Sequence, residues 1–282
     1  MNPIRFDDRV VLVTGAGRGL GAAYAHAFAG RGARVVVHDA GVALDGSGAN
    51  PAVADAVVAA IEQAGGTAVA CYDDLASEAG CRRCVELAIE RFGRIDVVVQ
   101  NAGLLVFEEL EEGDRSWERV RQVTIDAPFH IARAALPTMK HQGYGRFVFT
   151  TSSRAMWLKD ALAGLSAYAA GKMAGFGIML VVGTEGGQHG IFANAICPVA
   201  ATRMLQRRAE PGELDPALVA PGVLFLASEE CTFSGVVLHA AGGRFSTLRW
   251  QQGDEVDLGR EPVAPEVIAA RWDEIEEAVR AA

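Results

Sequence analysis

Thr14-Gly15-Ala16-Gly17-Arg18-Gly19-Leu20-Gly21 is the stretch on which the fold turns. An apolar run, Val10–Thr14, leads into it. An Ala-rich segment of helical composition, residues 21–31, follows, and then a second apolar run over 34–39. Strand, glycine turn, helix and strand in that order form one βαβ unit, and glycine at the turn permits both a tight bend and a close backbone approach. A glycine pattern alone is weak, since such turns also arise for purely conformational reasons. The flanking elements give it weight, because a dinucleotide pyrophosphate needs bare backbone N–H groups at a helix N-terminus. The candidate contacts here are Gly15, Arg18, Gly19, Leu20 and Gly21.

Further along, runs at 68–72, 97–101, 146–151, 191–197 and 236–240 read as strands, each after a segment long enough for a crossover helix. The pattern predicts an α/β fold, a doubly wound parallel sheet of seven strands with helices on both faces. Residues 40–50, rich in glycine, read as a long loop. At 282 residues one domain is expected over 1–250, with an extension over 251–282. In that extension Ile268, Trp272, Ile275 and Val279 share one helix face.

The net charge of -9 opposes binding to nucleic acid. Polar residues interrupt every apolar run before the roughly 18 residues of a membrane span, and MNPIRFDDRV lacks a signal-peptide core, so no membrane partner and a cytoplasmic location are expected. Five cysteines without framework spacing read as reduced thiols. Cys81 and Cys84 have the interval of a metal or redox pair but no second pair beside them, so no metal site is expected.

Asp39 ends the second strand 18 residues after Gly21, where an acid would accept hydrogen bonds from the ribose hydroxyls of an adenosine. A carboxylate there also repels a 2′-phosphate, which favours NAD over NADP; Arg18 is the one nearby cation that could pair with such a phosphate.

Tyr168 and Lys172 lie four apart on a predicted helix, so both project from one face. They follow the strand that ends in Thr150-Thr151-Ser152-Ser153. A phenol, with an ordinary pKa of about 10, exchanges protons at neutral pH when a cation such as Lys172 stabilises its anion. Ser152 could then hold a substrate oxygen while Tyr168 gives or takes the proton and a nicotinamide carries the hydride.

With the glycine turn, Asn101-Ala102-Gly103 after the fourth strand, a serine on the fifth and Tyr168-Ala-Ala-Gly-Lys172 in order, residues 7 to about 245 resemble the short-chain dehydrogenase/reductase family. The resemblance implies that Asn101 and Gly103 lie near the cofactor, that Asp74 and Leu75 contact the adenine, and that residues 198–202, with Val199 and Thr202, cover the nicotinamide side. Stretches at 35–41, 92–99, 201–204 and 248–250 are similar to the (3R)-hydroxyacyl-CoA dehydrogenase module of peroxisomal multifunctional enzymes, a branch that includes members active on 17β-hydroxysteroids. That implies a lipophilic secondary alcohol or ketone as substrate and a homodimer or homotetramer as the assembly. The chain departs from the family pattern at Thr124, where an asparagine usually serves a proton relay, at Gln100, and at Val199 after Pro198. Those departures motivate a rival of another class, a catalytically silent NAD(H) sensor. Intact Ser152, Tyr168 and Lys172 weigh against it.

Overall fold

The computed structural model describes residues 3–112, 116–205 and 209–277. Its sheet has the strand order β3-β2-β1-β4-β5-β6-β7-β8, built from β1 (Val10–Thr14), β2 (Arg34–His38), β3 (Thr67–Cys71), β4 (Val97–Gln100), β5 (Gly145–Thr150), β6 (Ile191–Val199), β7 (Val237–Ala241) and β8 (Arg244–Leu248). Neighbouring strands from β3 to β7 pair in parallel, with β1 beside β4 through Val11↔Val97 to Val13↔Val99. The chain order reverses at that pair, and in such sheets the crevice beyond the carboxyl ends of the reversing strands is the ligand site. Every residue of β1 and β4 is buried, as a strand covered on both faces requires.

The seven strands of the sequence reading become eight. β8 escapes a pattern search because Arg-Phe-Ser-Thr-Leu has no buried face. A two-glycine turn makes it: Gly242 and Gly243 have φ +54° and +76°, the pair of positive values that a two-residue hairpin demands, so β8 folds back antiparallel on β7.

Helices α1 (Gly19–Ala29), α2 (Ala52–Gln63), α3 (Glu78–Phe92), α4 (Trp117–Arg121), α5 (Ala127–Gln142), α6 (Ser153–Met156), α7 (Ser166–Gly186) and α8 (Ala220–Ala227) complete the layers. Tyr24 and Phe28 of α1 pack with Val11, Val13, Val35 and Val37 in the main core. α7 and the turn after it are long and apolar enough by composition to cross a membrane. Here the helix lies along β5 and β6, with Gly171, Gly175, Gly183 and Gly186 buried on its inner side.

The chain divides into two compact units, one ending at Thr247 and one beginning at Leu248. In the second, the single helix expected of the tail is two short ones, α9 (Pro265–Ala270) and α10 (Trp272–Glu277), parted at Arg271. Trp272 is exposed there, Ile268 and Ile275 are partly buried, and Val279 lies outside the described residues.

Candidate active site

Gly15 follows β1 and Asn101 follows β4, so the reversal of strand order brings the two loops together. The Asn101 amide donates to the carbonyls of Thr14 (2.9 Å) and Gly15 (3.2 Å). The Thr14 hydroxyl accepts the backbone N–H groups of Asn101 and Ala102, both at 3.0 Å. The glycine turn is thus held from beneath by the β4 loop. Its glycines are required by space: a Cβ on Gly21 would stand 2.1 Å from the Gly15 carbonyl oxygen, and one on Gly17 would stand 2.4 Å from Val53 and 2.8 Å from the Asp39 carboxylate. At Gly19 a φ of +53° adds a backbone reason.

Above this turn opens a cleft of about 520 Å³, within the range of small-molecule sites. Of the residues singled out in the sequence, Gly15, Arg18, Gly19, Leu20, Gly21, Asp39, Asp74, Leu75, Asn101, Gly103 and Thr202 all line it. Val199 does not, because β6 runs through it and pairs it with Ala241. The Asp39 carboxylate accepts the N–H of Gly41 on one oxygen (2.7 Å) and that of Gly17 on the other (2.9 Å). Each oxygen keeps a further lone pair for a ribose hydroxyl. Asp74 also lines the cleft and is held by Arg119 at 3.0 Å; burial raises its carboxyl pKa, but the Arg119 hydrogen bond and charge together with the Ala76 N–H outweigh that and draw it below the ordinary range.

Arg203 is a lining residue that the sequence reading passed over. Its guanidinium and that of Arg18 both donate to the Val42 carbonyl, at 3.0 and 3.3 Å. Burial and the neighbouring Arg18 charge lower the Arg203 pKa, while Asp39 opposes the shift. The signal for it was spatial, since nothing in the order of residues announces that 203 and 18 meet at residue 42.

The expected proton-transfer residues Ser152, Tyr168 and Lys172, the last two also expected at the cofactor, stand outside the cleft lining, with Lys172 behind its wall at Gly103. Ser152 caps α6, its hydroxyl oxygen accepting the Arg154 N–H at 3.3 Å, which leaves its hydroxyl proton free to donate. Burial pushes the Tyr168 phenol up, and the Ser152 hydrogen bond and then the Arg154 charge pull it back down. Lys172 lies one helical turn on, its ammonium 5.7 Å from the Tyr168 ring centre. It is 3.4 Å from where a Cβ on Gly103 would sit, so it reaches the cleft wall. Burial lowers its pKa to about 8. Thr151 steadies this end of α7 by donating to the Lys172 carbonyl at 3.2 Å.

Thr124, at the position where the family pattern has asparagine, sits in a wide π turn, Gln122–Asp126, between α4 and α5. Pro128 has no N–H to offer the Thr124 carbonyl, which explains why the helix widens here. The Thr124 hydroxyl turns back to the Val120 carbonyl at 2.6 Å and lies too close to α7 to tolerate a side chain at Gly171. A cavity of about 10 Å³, on the order of one water, lies between Thr124, Gln100, Thr150 and Lys172. The buried Thr150 hydroxyl beside it has no protein partner.

A crossed sheet-end cleft of this kind, with a glycine turn beneath it and Lys172 behind its wall at Gly103, is the arrangement of a nucleotide-dependent oxidoreductase. The profile of the short chain dehydrogenase family matches residues 9–212, and the chain belongs to that family. A short-chain type dehydrogenase/reductase of Mycobacterium tuberculosis is 40% identical over 274 residues, which cover 95% of this chain and 94% of that one. The peroxisomal multifunctional enzyme type 2 of Mus musculus is 40% identical over 280 residues, 97% of this chain but 37% of the relative, so the chain spans little more than a third of that protein. Among solved structures, a 7α-hydroxysteroid dehydrogenase complexed with NADH and 7-oxo glycochenodeoxycholic acid superposes with a TM-score of 0.75 at 29% identity, over 85% of this chain and 95% of that one. The chain is accordingly an enzyme of NAD(P)-dependent oxidation and reduction.

Proposed function

We propose that the enzyme uses NAD(H) to interconvert a secondary alcohol and a ketone on a lipophilic carrier of the acyl-CoA or steroid kind. The observation that carries the chemistry is the grouping of Ser152, Tyr168 and Lys172, with the Ser152 hydroxyl placed to pull the phenol pKa down and Lys172 one turn further along α7. The bare glycine turn fits a pyrophosphate and Asp39 fits a ribose; when bound, the nicotinamide supplies or takes the hydride. In the direction of reduction, Ser152 holds the substrate oxygen and Tyr168 gives it a proton, and the Lys172 charge eases the negative charge left on the phenol. In oxidation the same proton returns to Tyr168.

NAD is favoured over NADP by Asp39, whose spare lone pairs suit hydroxyls and whose charge opposes a 2′-phosphate. Arg18 and Arg203, both anchored on Val42, keep N–H groups for the pyrophosphate. The lipophilic substrate is supported by the resemblance at 201–204 and 248–250 and by Leu104, Val123, Met204 and Leu205 in the cleft wall. Met156, Trp157 and Leu158, at and just after the end of α6, lie outside that lining, and Leu158 is 94% exposed. A cytoplasmic homodimer or homotetramer completes the proposal; light scattering distinguishes the two assemblies.

The test is turnover of 3-hydroxyacyl-CoA, steroid alcohols and simple ketones, with NADH fluorescence for binding and Tyr168→Phe as control. The reading requires turnover on a lipophilic substrate that Tyr168→Phe abolishes while NADH still binds. Turnover retained in that variant would overturn the assigned role of Tyr168, and NADH binding with no turnover on any of the substrates would favour the sensor.

A further inference from the structure

Outside the cleft, Cys71, Asp73 and Cys84 form a group, among the described residues, whose sulfur and carboxylate atoms all lie within 4.8 Å of one another. Cys71 is the last residue of β3 and Cys84 lies in α3. The Cys71 thiol donates toward the Cys84 sulfur at 3.1 Å and toward the Asp73 carboxylate at 3.4 Å. Both thiols are buried, and the partly exposed Asp73 places the group one side chain below the surface.

Two chemistries suit two thiols beside a carboxylate, a bound soft metal ion and a disulfide. Sulfurs that share a tetrahedral zinc sit about 3.8 Å apart, given bonds of about 2.3 Å, so a metal would have to push this pair open. The cluster also supplies three ligands where a closed structural site takes four. A disulfide, with its bond of about 2.0 Å, asks the sulfurs to close by only about 1 Å.

The surroundings say what that closure reaches. The Cys71 carbonyl accepts the Asp39 N–H at 3.0 Å, and the Asp73 carbonyl is bonded to the His38 ring at 2.8 Å. Asp74 and Leu75, the next two residues, line the cleft, and the Leu75 carbonyl accepts the thiol of Cys81 from α3 at 3.3 Å. Cys71 therefore stands between α3 and both groups that face the adenosine end of the cleft, Asp39 from one side and Asp74-Leu75 from the other.

We propose that Cys71 and Cys84 form an oxidant-made disulfide that distorts the adenosine end of the cleft and weakens NADH binding. With hydrogen peroxide, one thiol becomes a sulfenic acid and releases a water; the other attacks that sulfur, forms the S–S bond and releases a second water. Both sulfurs are oxidised, peroxide is reduced, and a dithiol reductant reverses the step. The effect on NADH rests on reading the cleft as its site, whereas the bond itself does not.

The experiment treats the full-length protein with hydrogen peroxide, digests it without reduction and titrates NADH before and after. The expected result is a linked pair of peptides carrying Cys71 and Cys84, lighter by two hydrogens and still present in Cys81→Ala. NADH affinity should fall about fivefold or more, a usual size for coupling between two sites, and return on reduction. Cys84→Ala, and separately Cys71→Ser, should bind NADH as the untreated protein does and lose the peroxide effect. Two variants on different elements guard against one of them failing to fold. No linked peptides, linkage with unchanged NADH affinity, or the same loss of affinity in both variants would overturn the proposal. If the untreated protein bound no NADH at all, the cofactor reading would fail, and the peptide map would still decide whether the bond forms.

Discussion

Lys172 shows how a single residue trades stability for chemistry. Its ordinary pKa is 10.5 and its folded value is about 8, so between those values the unfolded chain holds a proton that the folded protein has shed. Stability therefore rises with pH from about 8 to 10.5, and below about 8 the full cost of burying the charge is present. A shift of that size is on the order of 3 kcal/mol. Lys172→Met, which keeps the length and loses the charge, should raise the midpoint of thermal unfolding at neutral pH while removing turnover. A lower midpoint at pH 7 would mean that the ammonium is better solvated by its surroundings than its burial implies. In the parent enzyme the same titration should appear in the rate: ketone reduction should decline as pH climbs through about 8, where Lys172 loses the charge that eases proton release from Tyr168. A pH–rate profile flat from 7 to 9.5 would remove Lys172 from that step.

Asp39 yields the cofactor prediction at the same scale. Asp39→Ala removes the acceptor for two backbone N–H groups as well as the charge that opposes a phosphate. NADH should bind the parent about tenfold or more tighter than NADPH, and the variant should narrow that gap by weakening NADH. Equal binding of both by the parent would assign Arg18 and Arg203 to a 2′-phosphate instead.

At the level of elements, α7 carries both a constrained and an unconstrained glycine. A Cβ at Gly171 would sit 2.0 Å from the Thr124 hydroxyl, at the contact that brings α7 against the π turn. At Gly177, which is exposed, a Cβ meets nothing within 4 Å. Gly177→Ala should therefore stabilise the protein by roughly 0.5–1 kcal/mol through helix propensity alone, with turnover unchanged. Gly171→Ala should destabilise it and lower turnover, because the Lys172 backbone follows directly on the displaced residue. Urea unfolding of the two variants side by side separates the effects, and equal stability changes would contradict the packing described here.

This contrast also shows what could be read from residue order. The glycine turn, Asp39 and the Tyr168–Lys172 pair were legible because each depends on a spacing along one element or across one βαβ unit. The π turn was not: it needs Pro128 to withhold an N–H and Thr124 to turn back on Val120, choices that composition does not reveal. β8 was hidden for a related reason, since a hairpin made by two glycines can recruit a strand with no apolar alternation. Arg203 and the pair Cys71–Cys84 join residues that are distant in sequence, and only the folded sheet brings them together.

Across the whole molecule, the cleft occupies one end of the sheet and a buried charge cluster the other. Asp96, fully buried just before β4, accepts the Val10 N–H at 2.9 Å, Arg9 at 3.1 Å and Arg94 at 2.7 and 2.6 Å. It thereby ties the entry of β1 to the entry of β4, the same two strands whose far ends carry the glycine turn and Asn101. Five residues of β1 separate the ends by roughly 17 Å. Asp96→Ala would leave the Arg94 guanidinium and the Val10 N–H without their acceptor and Arg9 with Glu229 alone. Removing one partner of a buried pair costs about 3–5 kcal/mol, and because Arg9 and Arg94 keep 22% and 34% of their side-chain surface exposed, water recovers part of that. A loss of about 2–3 kcal/mol in urea unfolding is expected, with NADH affinity unchanged at temperatures where the variant is folded. If affinity fell as well, the two ends of β1 would be mechanically coupled across the sheet, and the cleft geometry would depend on a charge that no bound cofactor touches.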